Sequence, residues 1–157
     1  EISPPFEEDP ERPVLDDWLL LRARKKGKDV AFLETDLEQW RAFGGIPMED
    51  QVSMLRMAID SFHDPRTRVD RIGLYLQGDL ATRYALWERS LGYLEPQVAR
   101  RYTDRLLDSR NRTMVERMIP LLERGKAFVA VGALHMPGEE GSLALLEQRG
   151  YRVTRVY

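Results

Sequence analysis

The sequence predicts an α/β domain, in which a small and largely parallel sheet is covered by several helices. Two segments are short, unbroken apolar runs of the kind found in buried parallel strands, and a third alternates between apolar and polar residues. The three segments are Asp29–Glu34, Ala127–Val131 and Tyr151–Val156. Helical patterns separate them, and strands that alternate with helices indicate a layered α/β fold. We interpret this domain as part of a larger one.

The composition of the chain excludes several classes of site and function. The 157 residues make one domain with a sizeable core, and the net charge of -2 provides no field that favours nucleic acid. The absence of cysteine excludes disulfides, thiolate zinc sites and a cysteine nucleophile. No apolar run approaches the roughly 20 residues of a membrane span. The first residue is Glu1 rather than methionine, so a signal peptide or domain upstream is compatible with the sequence.

The N-terminal residues predict an arm followed by a helix. Residues 1–13 contain four prolines and five acidic residues, which is typical of an extended arm or linker. Helical spacing begins at Val14 with Leu15, Trp18 and Leu19, and Gly27 offers a C-terminal stop. The domain is therefore expected over residues 14–157.

Further helices are expected between and after the predicted strands. They are Met48–Phe62, Arg68–Leu94, Pro96–Leu107, Asn111–Leu122 and Glu139–Arg149. The second is either one long helix or two helices with a break near Gly78. Ser109 is the expected N-cap of the fourth, and Pro120 predicts a kink or an early end there. Gly150 fits the position just after the last helix.

An imidazole and a carboxylate follow two of the predicted strands. His135, one of only two histidines, lies in the loop after Ala127–Val131, and Glu34 ends the strand Asp29–Glu34. If these strands are parallel neighbours, their carboxyl ends open at the same edge of the sheet, where α/β proteins bind ligands. We therefore expect Glu34 and His135 to face one crevice.

Each candidate residue also has a purely structural interpretation. A histidine in such a loop is more often a hydrogen-bonded loop residue than a ligand. The loop glycines either supply tight turns or help to bind phosphate; they are Gly132, Gly138 and Gly141. The pair Arg110–Asn111 either caps or pairs structurally or holds an anionic group. The three tryptophans, Trp18, Trp40 and Trp87, are assigned to the core.

Several short motifs occur in an order that resembles a known family. They are Leu15–Asp16, Phe32–Thr35 followed by Gln39, Gln51, Gly78–Asp79, Arg110–Asn111, and the run Val129–Gly141 followed by Gly150–Tyr151. This order is similar to the C-terminal two-thirds of the bacterial TraB/GumN family, which is related to the Tiki metalloproteases and more distantly to ChaN and erythromycin esterase. The run Val129–Gly141 is the most specific of these motifs, and the resemblance covers residues 14–157.

The resemblance implies a metal-dependent, peptidase-like hydrolase with two Gly-x-x-His motifs, a glutamate and an arginine. The second motif corresponds to Gly132–His135, the glutamate to Glu34, and the arginine to Arg110, beside Asn111. His135 and Glu34 would then bind zinc, manganese or cobalt. The first Gly-x-x-His would precede Glu1, so we expect this chain alone to bind metal weakly or not at all and to be catalytically silent. A periplasmic or otherwise exported location is implied in the same way.

Two other functions are compatible with the same residues. One is a non-catalytic domain that binds a ligand or a protein, or has a regulatory role, on the same scaffold. The other is an interaction module that associates with itself through an exposed sheet edge or apolar face. For the hydrolase, the expected partner is a peptide or another small substrate, and no nucleic acid.

Overall fold

Helices dominate the protein, and no β-strand forms within residues 14–64 and 70–156, which are the residues that the computed structural model describes. The predicted α/β fold with its parallel sheet is therefore wrong, and the fold is all-helical. The α-helices are α1 Leu15–Lys25, α2 Asp36–Gly44, α3 Met48–His63, α4 Arg71–Leu76, α5 Leu80–Leu91, α6 Pro96–Thr103, α7 Ser109–Glu123 and α8 Ser142–Gln148. A π-helical turn, Asp104–Asp108, joins α6 to α7, and Ala133–His135 forms a 3-10 turn.

The chain divides into two compact units, Glu1–Phe32 and Leu33–Tyr157. In the first unit, the predicted arm over residues 1–13 lies outside the described residues, and α1 confirms the helix expected after Val14. Asp16 and Asp17 lie in its first turn and basic residues in its last, which suits the helix dipole. Gly27 follows the helix with a positive φ of 61°. No helix in the described part of the chain is long and apolar enough to cross a membrane.

In the second unit, α2 is a helix that was not predicted from the sequence. The Thr35 hydroxyl accepts a hydrogen bond from the backbone N–H of Glu38, at 3.2 Å, and the Glu38 carboxylate accepts one from the backbone N–H of Thr35, at 2.8 Å. This reciprocal capping box satisfies two amide groups at the helix start. The spacing Thr-x-x-Glu in the sequence is typical of a helix N-terminus with a capping box.

The other predicted helices are largely confirmed. The helix expected over Met48–Phe62 is α3, and α4 and α5 show that the next pattern contains two helices with a break at Gly78, whose φ is 66°. The last helix is shorter than expected, since α8 begins at Ser142. Gly150, with a φ of 88°, follows it as expected.

The two helices expected around Ser109 instead form one continuous helical stretch, Pro96–Glu123. Ser109 is not an N-cap, because Asp108 and Ser109 both have helical dihedral angles. The Ser109 hydroxyl bonds the Asp104 carboxylate, at 3.0 Å, and Pro120 lies inside α7 without ending it.

The three predicted strands are non-helical segments without the backbone pairing that a sheet requires. Burial alternates over short stretches of two of them. Val129 and Val131 are partly buried while Ala130 between them is exposed, and residues 151–154 alternate in the same way. The alternation predicted for Tyr151–Val156 thus extends only to Thr154, and the described residues supply no neighbouring strand.

The hydrophobic core of the second unit lies between α7 and α8. Its buried members are Met114, Val115, Met118 and Leu145. Partly buried apolar residues pack around them; these are Leu33, Ile119, Leu122, Val129, Val131 and Leu146. The apolar segments that resembled strands therefore contribute side chains to a helical core.

Four arginines on the stretch Pro96–Glu123 attach residues 33–50 to it, and we call Arg101, Arg105, Arg110 and Arg117 the arginine row. Arg101 donates two hydrogen bonds to the Asp50 carboxylate at the start of α3, at 2.9 and 2.7 Å. Arg105 donates to two backbone carbonyls near the end of α2, both at 2.8 Å. A cation at these carbonyls complements the helix dipole.

The other two members attach the segment that leads into α2. Arg117 donates to the backbone carbonyl of Leu33, at 2.8 Å, and to both carboxylate oxygens of Glu38, at 2.8 and 2.6 Å. Arg105 and Arg110 are five residues apart, and the wider π-helical turn between them keeps both on one face.

The Arg117–Glu38 contact makes the stability of the folded protein depend on pH in the acidic range. The pKa of Glu38 is lowered from 4.5 to about 2, chiefly because its carboxylate accepts hydrogen bonds from Arg117 and from Thr35. A depressed carboxyl pKa stabilises the folded state above the unfolded-state pKa, and this contribution is lost as the pH falls toward the folded-state value.

We therefore expect the Glu38→Gln variant to lose less stability than the wild type between pH 4.5 and about 2. Urea unfolding followed by circular dichroism measures the midpoint at each pH. Glu147→Gln, an exposed change on α8, is the control and should behave like the wild type. The same pH dependence in Glu38→Gln and wild type would contradict this assignment.

Candidate functional site

Glu34 and Arg110, both predicted as site residues, form a mostly buried ion pair. Arg110 donates from Nε to one carboxylate oxygen of Glu34, at 2.6 Å, and from Nη2 to the other, at 2.7 Å. The two side chains are only 14% and 16% exposed. Nη1 of Arg110 donates to the carbonyl of Leu106, at 2.9 Å, and the guanidinium lies 5.8 Å from the centre of the Phe43 ring. Arg110 is thus fixed in position, and both Glu34 oxygens are engaged.

His135 is fixed by Asn111. The Nδ1 atom of His135 lies 2.7 Å from Oδ1 of Asn111, whose Nδ2 donates to the backbone carbonyl of Glu140, at 2.7 Å. Because the amide nitrogen of Asn111 donates to Glu140, the amide oxygen of Asn111 faces the imidazole, and this oxygen can only accept a hydrogen bond. Nδ1 therefore carries the proton, and the lone pair is on Nε2. Asn111 is 2% exposed, so this link is internal to the protein.

The surroundings of His135 also favour the neutral imidazole over the imidazolium. Burial lowers the pKa of His135 below its usual value of 6.5, and the positive charge of Arg110 lowers it further, while Glu34 acts in the opposite direction. A neutral ring with its lone pair on Nε2 is the form that binds a metal ion or accepts a proton.

The loop glycines differ in what they do. Gly138 has a positive φ of 91°, and a Cβ built there would lie 2.7 Å from the hydroxyl oxygen of Tyr84. A Cβ at Gly141 would lie 2.2 Å from the backbone oxygen of Pro137. Both positions therefore need glycine for the turn itself. Gly132 has an ordinary backbone and directly precedes the turn that carries His135.

A cavity of about 350 Å³ opens beside His135 and Arg110. Three aromatic side chains line it, and so does a second arginine; these are Phe43, Trp87, Tyr102 and Arg83. Glu34 is not among the lining residues, and it reaches the cavity only through Arg110. The structure thus brings Arg110 and His135 to one cavity, with Asn111 behind the imidazole and Glu34 behind the arginine.

Most of the cavity wall was not predicted from the sequence. Trp87 was assigned to the core but lines the cavity, while Trp18 and Trp40 are 43% and 74% exposed, so their assignment to the core was wrong. Arg83 and Trp87 are four residues apart on α5, a spacing that places them on one helix face. That spacing was the available signal, but only the fold shows which face borders His135.

The described residues provide only some of the ligands that a metal site needs. His135 offers Nε2, whereas the oxygens of Glu34 accept hydrogen bonds from Arg110. Within residues 14–64 and 70–156, no group of three histidine, cysteine, aspartate or glutamate side chains is close enough to hold an ion. A catalytic zinc normally takes three protein ligands.

We expect His135 to titrate below pH 6.5 in the folded protein, because burial and Arg110 both disfavour the imidazolium. The His63→Gln variant leaves His135 as the only imidazole. Its ring-proton shifts, followed by NMR against pH, then give the pKa directly. Arg110→Met removes the positive charge and leaves Glu34, so it should raise this pKa. A titration at or above pH 6.5 in the His63→Gln protein would contradict the proposed environment.

Comparison with known proteins supports the resemblance seen in the motifs. Residues 5–155 match the TraB/PrgY/gumN family, which is nearly the whole chain. No curated protein and no solved structure matches. The suggested relationships to Tiki, ChaN and erythromycin esterase therefore stay predictions. The match spans the arginine row, the cavity and the loop with His135, and we conclude that this chain belongs to the TraB/PrgY/gumN family.

Proposed function

We propose that the intact protein is a metal-dependent hydrolase that acts on a peptide or a similar acyl bond. The observation that carries the proposal is the contact of His135 with Asn111, in which Nδ1 lies 2.7 Å from the amide oxygen and Nε2 is left with the lone pair. Burial and Arg110, which lower the pKa of His135, favour the neutral ring that this role needs. Metal-binding histidines are typically oriented in this way by a hydrogen bond from the other ring nitrogen. An exported location belongs to the same proposal.

In this proposal, His135 is a metal ligand and Asn111 is the residue that orients it. Arg110 borders the cavity beside His135, where a cation stabilises negative charge that develops on a substrate or positions its carbonyl group. Zinc, manganese or cobalt, when bound, would supply Lewis acidity at this place.

The role of Glu34 is constrained by its ion pair. In the geometry described, its carboxylate holds Arg110 at the cavity. To act as a ligand or as a base for water, at least one of its oxygens must first leave the guanidinium. We therefore propose that Glu34 holds Arg110 in the resting site and takes part in ligation or proton transfer only after that contact opens.

The remaining ligands of such a site must come from outside the described residues, because His135 and Glu34 supply two at most. For this reason, we expect residues 1–157 alone to bind metal weakly and to be inactive. The first Gly-x-x-His motif expected from the family would complete the site in the intact protein.

A non-catalytic binding function is the second candidate, and the cavity favours it. Apolar and aromatic side chains dominate its wall, and few polar groups converge on it, as in many small-molecule sites. In this alternative, Arg110 and His135 hydrogen-bond the ligand, and no metal takes part.

The test uses the protein expressed at the full length of its gene. Metal content is measured by mass spectrometry, and peptide hydrolysis with a quenched fluorogenic library, for the wild type, His135→Ala and Asn111→Ala. We expect His135→Ala to lose the metal and the activity. Asn111→Ala should lose roughly 10- to 100-fold in metal affinity, because it frees the ring.

His63→Ala is the matched control, since it removes the other histidine and should retain both the metal and the activity. Equal metal content in wild type and His135→Ala would remove His135 from the metal site. A wild-type protein that takes up no metal at all would contradict the hydrolase and leave the binding function.

A further inference from the structure

Helix α3 turns its more apolar face away from the protein. Five large apolar side chains on this helix are between 43% and 76% exposed. They are Met48, Val52, Leu55, Ile59 and Phe62, and we call them the α3 stripe. The packed side of the helix is more polar, since it carries the buried Asp50 and the partly buried Ser53, Met54 and Met57. The usual orientation of an amphipathic helix is thus reversed.

The α3 stripe has the spacing of a coiled-coil seam. Its members follow one another at intervals of four, three, four and three residues, which is the a/d pattern of two heptads. Asp50 on the opposite side of the helix accepts two hydrogen bonds from Arg101. The ion pair thus lies on the packed side of α3, opposite the stripe. A seam of this kind is normally covered by another helix with the same pattern.

The charges beside the stripe favour a second copy of the same helix in antiparallel orientation. Placing Val52 against Leu55 of the other copy also places Met48 against Ile59. The flanking e positions then bring Glu49 of each copy next to Arg56 of the other, twice by symmetry. Neither residue forms a salt bridge within the described part of the chain, and the charge of Glu49 acts there on Arg101, whose pKa it helps to raise. The opposite flank pairs Gln51 with Ala58, which carry no charge.

The expected contact is small. Stable interfaces bury about 800 Å² on each partner, and one helix face of two heptads lies at or below this size. We therefore expect a dimer that dissociates on dilution rather than an obligate one. A parallel pair is disfavoured, because it would place Glu49 and Arg56 opposite uncharged g positions.

We propose that the α3 stripe is a homodimer interface in which two copies of α3 pack antiparallel, with Glu49 of each copy facing Arg56 of the other. Sedimentation velocity of the whole chain, from roughly 1 µM to roughly 1 mM, covers the range of weak specific association. We expect a reversible monomer–dimer equilibrium for the wild type. Leu55→Glu places a carboxylate in the seam and should leave only monomer.

Leu37→Glu is the matched control, since Leu37 is also a helical leucine and is 57% exposed, compared with 62% for Leu55. It should dimerise like the wild type. Circular dichroism and thermal unfolding verify that both variants fold, so a monomeric Leu55→Glu protein reports on the interface.

Charge reversal tests the antiparallel arrangement. Glu49→Arg alone, or Arg56→Glu alone, places like charges together and should weaken the dimer roughly tenfold. The double variant restores opposite charges and should recover the wild-type equilibrium to within about threefold.

Any of three sedimentation results would overturn the proposal: a wild-type monomer at every concentration, a dimer that survives Leu55→Glu, or a double charge variant that dimerises no more strongly than either single variant. A monomer that floats with phosphatidylglycerol vesicles, and loses this binding in Leu55→Glu, would also overturn it and assign the stripe to a lipid surface.

Discussion

The buried ion pair between Arg110 and Glu34 is the contact on which the arrangement of the second unit depends. Its arginine side chain is 14% exposed, compared with 51% for Arg101 and 38% for Arg117, and the pair holds the segment before α2 against the long helical stretch of residues 96–123. Asn111, the next residue, holds His135 from the same stretch. One turn of helix thus positions the carboxylate on one side and the imidazole on the other, while the guanidinium borders the cavity. Removing one partner would leave an unpaired, largely buried charge, which lowers the free energy of unfolding far more than an exposed one does. The two sides of the site and the packing of α2 are therefore linked through this pair.

Sequence patterns predicted the helices better than the way in which they pack. Periodicity found α1, α3, α5 and α8, since a helix needs only its own residues to satisfy its backbone. The strands were wrong for the opposite reason. A run such as Ala127–Val131 becomes a strand only when a neighbour pairs with it, and a single sequence does not show whether one is present. The division around Ser109 was wrong because the π-helical turn Asp104–Asp108 leads directly into α7, so the polar residues 108–110 are helical.

The candidate site was predicted as a set of residues, but its connections were not. His135, Glu34, Arg110 and Asn111 were selected from a predicted sheet edge and from a family resemblance, and the family is now shown. What links them is side-chain geometry: Arg110 spans from Glu34 to the cavity, and Asn111 selects the tautomer of His135. Trp87 and Tyr102 in the cavity wall could not be recognised, because an aromatic residue on an amphipathic helix has the same pattern in a core as beside a cavity. The α3 stripe is a similar case, because its pattern predicts an apolar helix face but does not indicate what packs against that face.

The coupling free energy between Glu34 and Arg110 measures directly how far this ion pair holds the site together. A double-mutant cycle with Glu34→Gln and Arg110→Met, measured by urea unfolding, isolates this term from the separate effects of the two substitutions. We expect a coupling of more than about 1 kcal/mol, and a larger value than for the more exposed pair Arg112–Glu140. Additivity to within about 0.5 kcal/mol would show that the ion pair does not hold the site together.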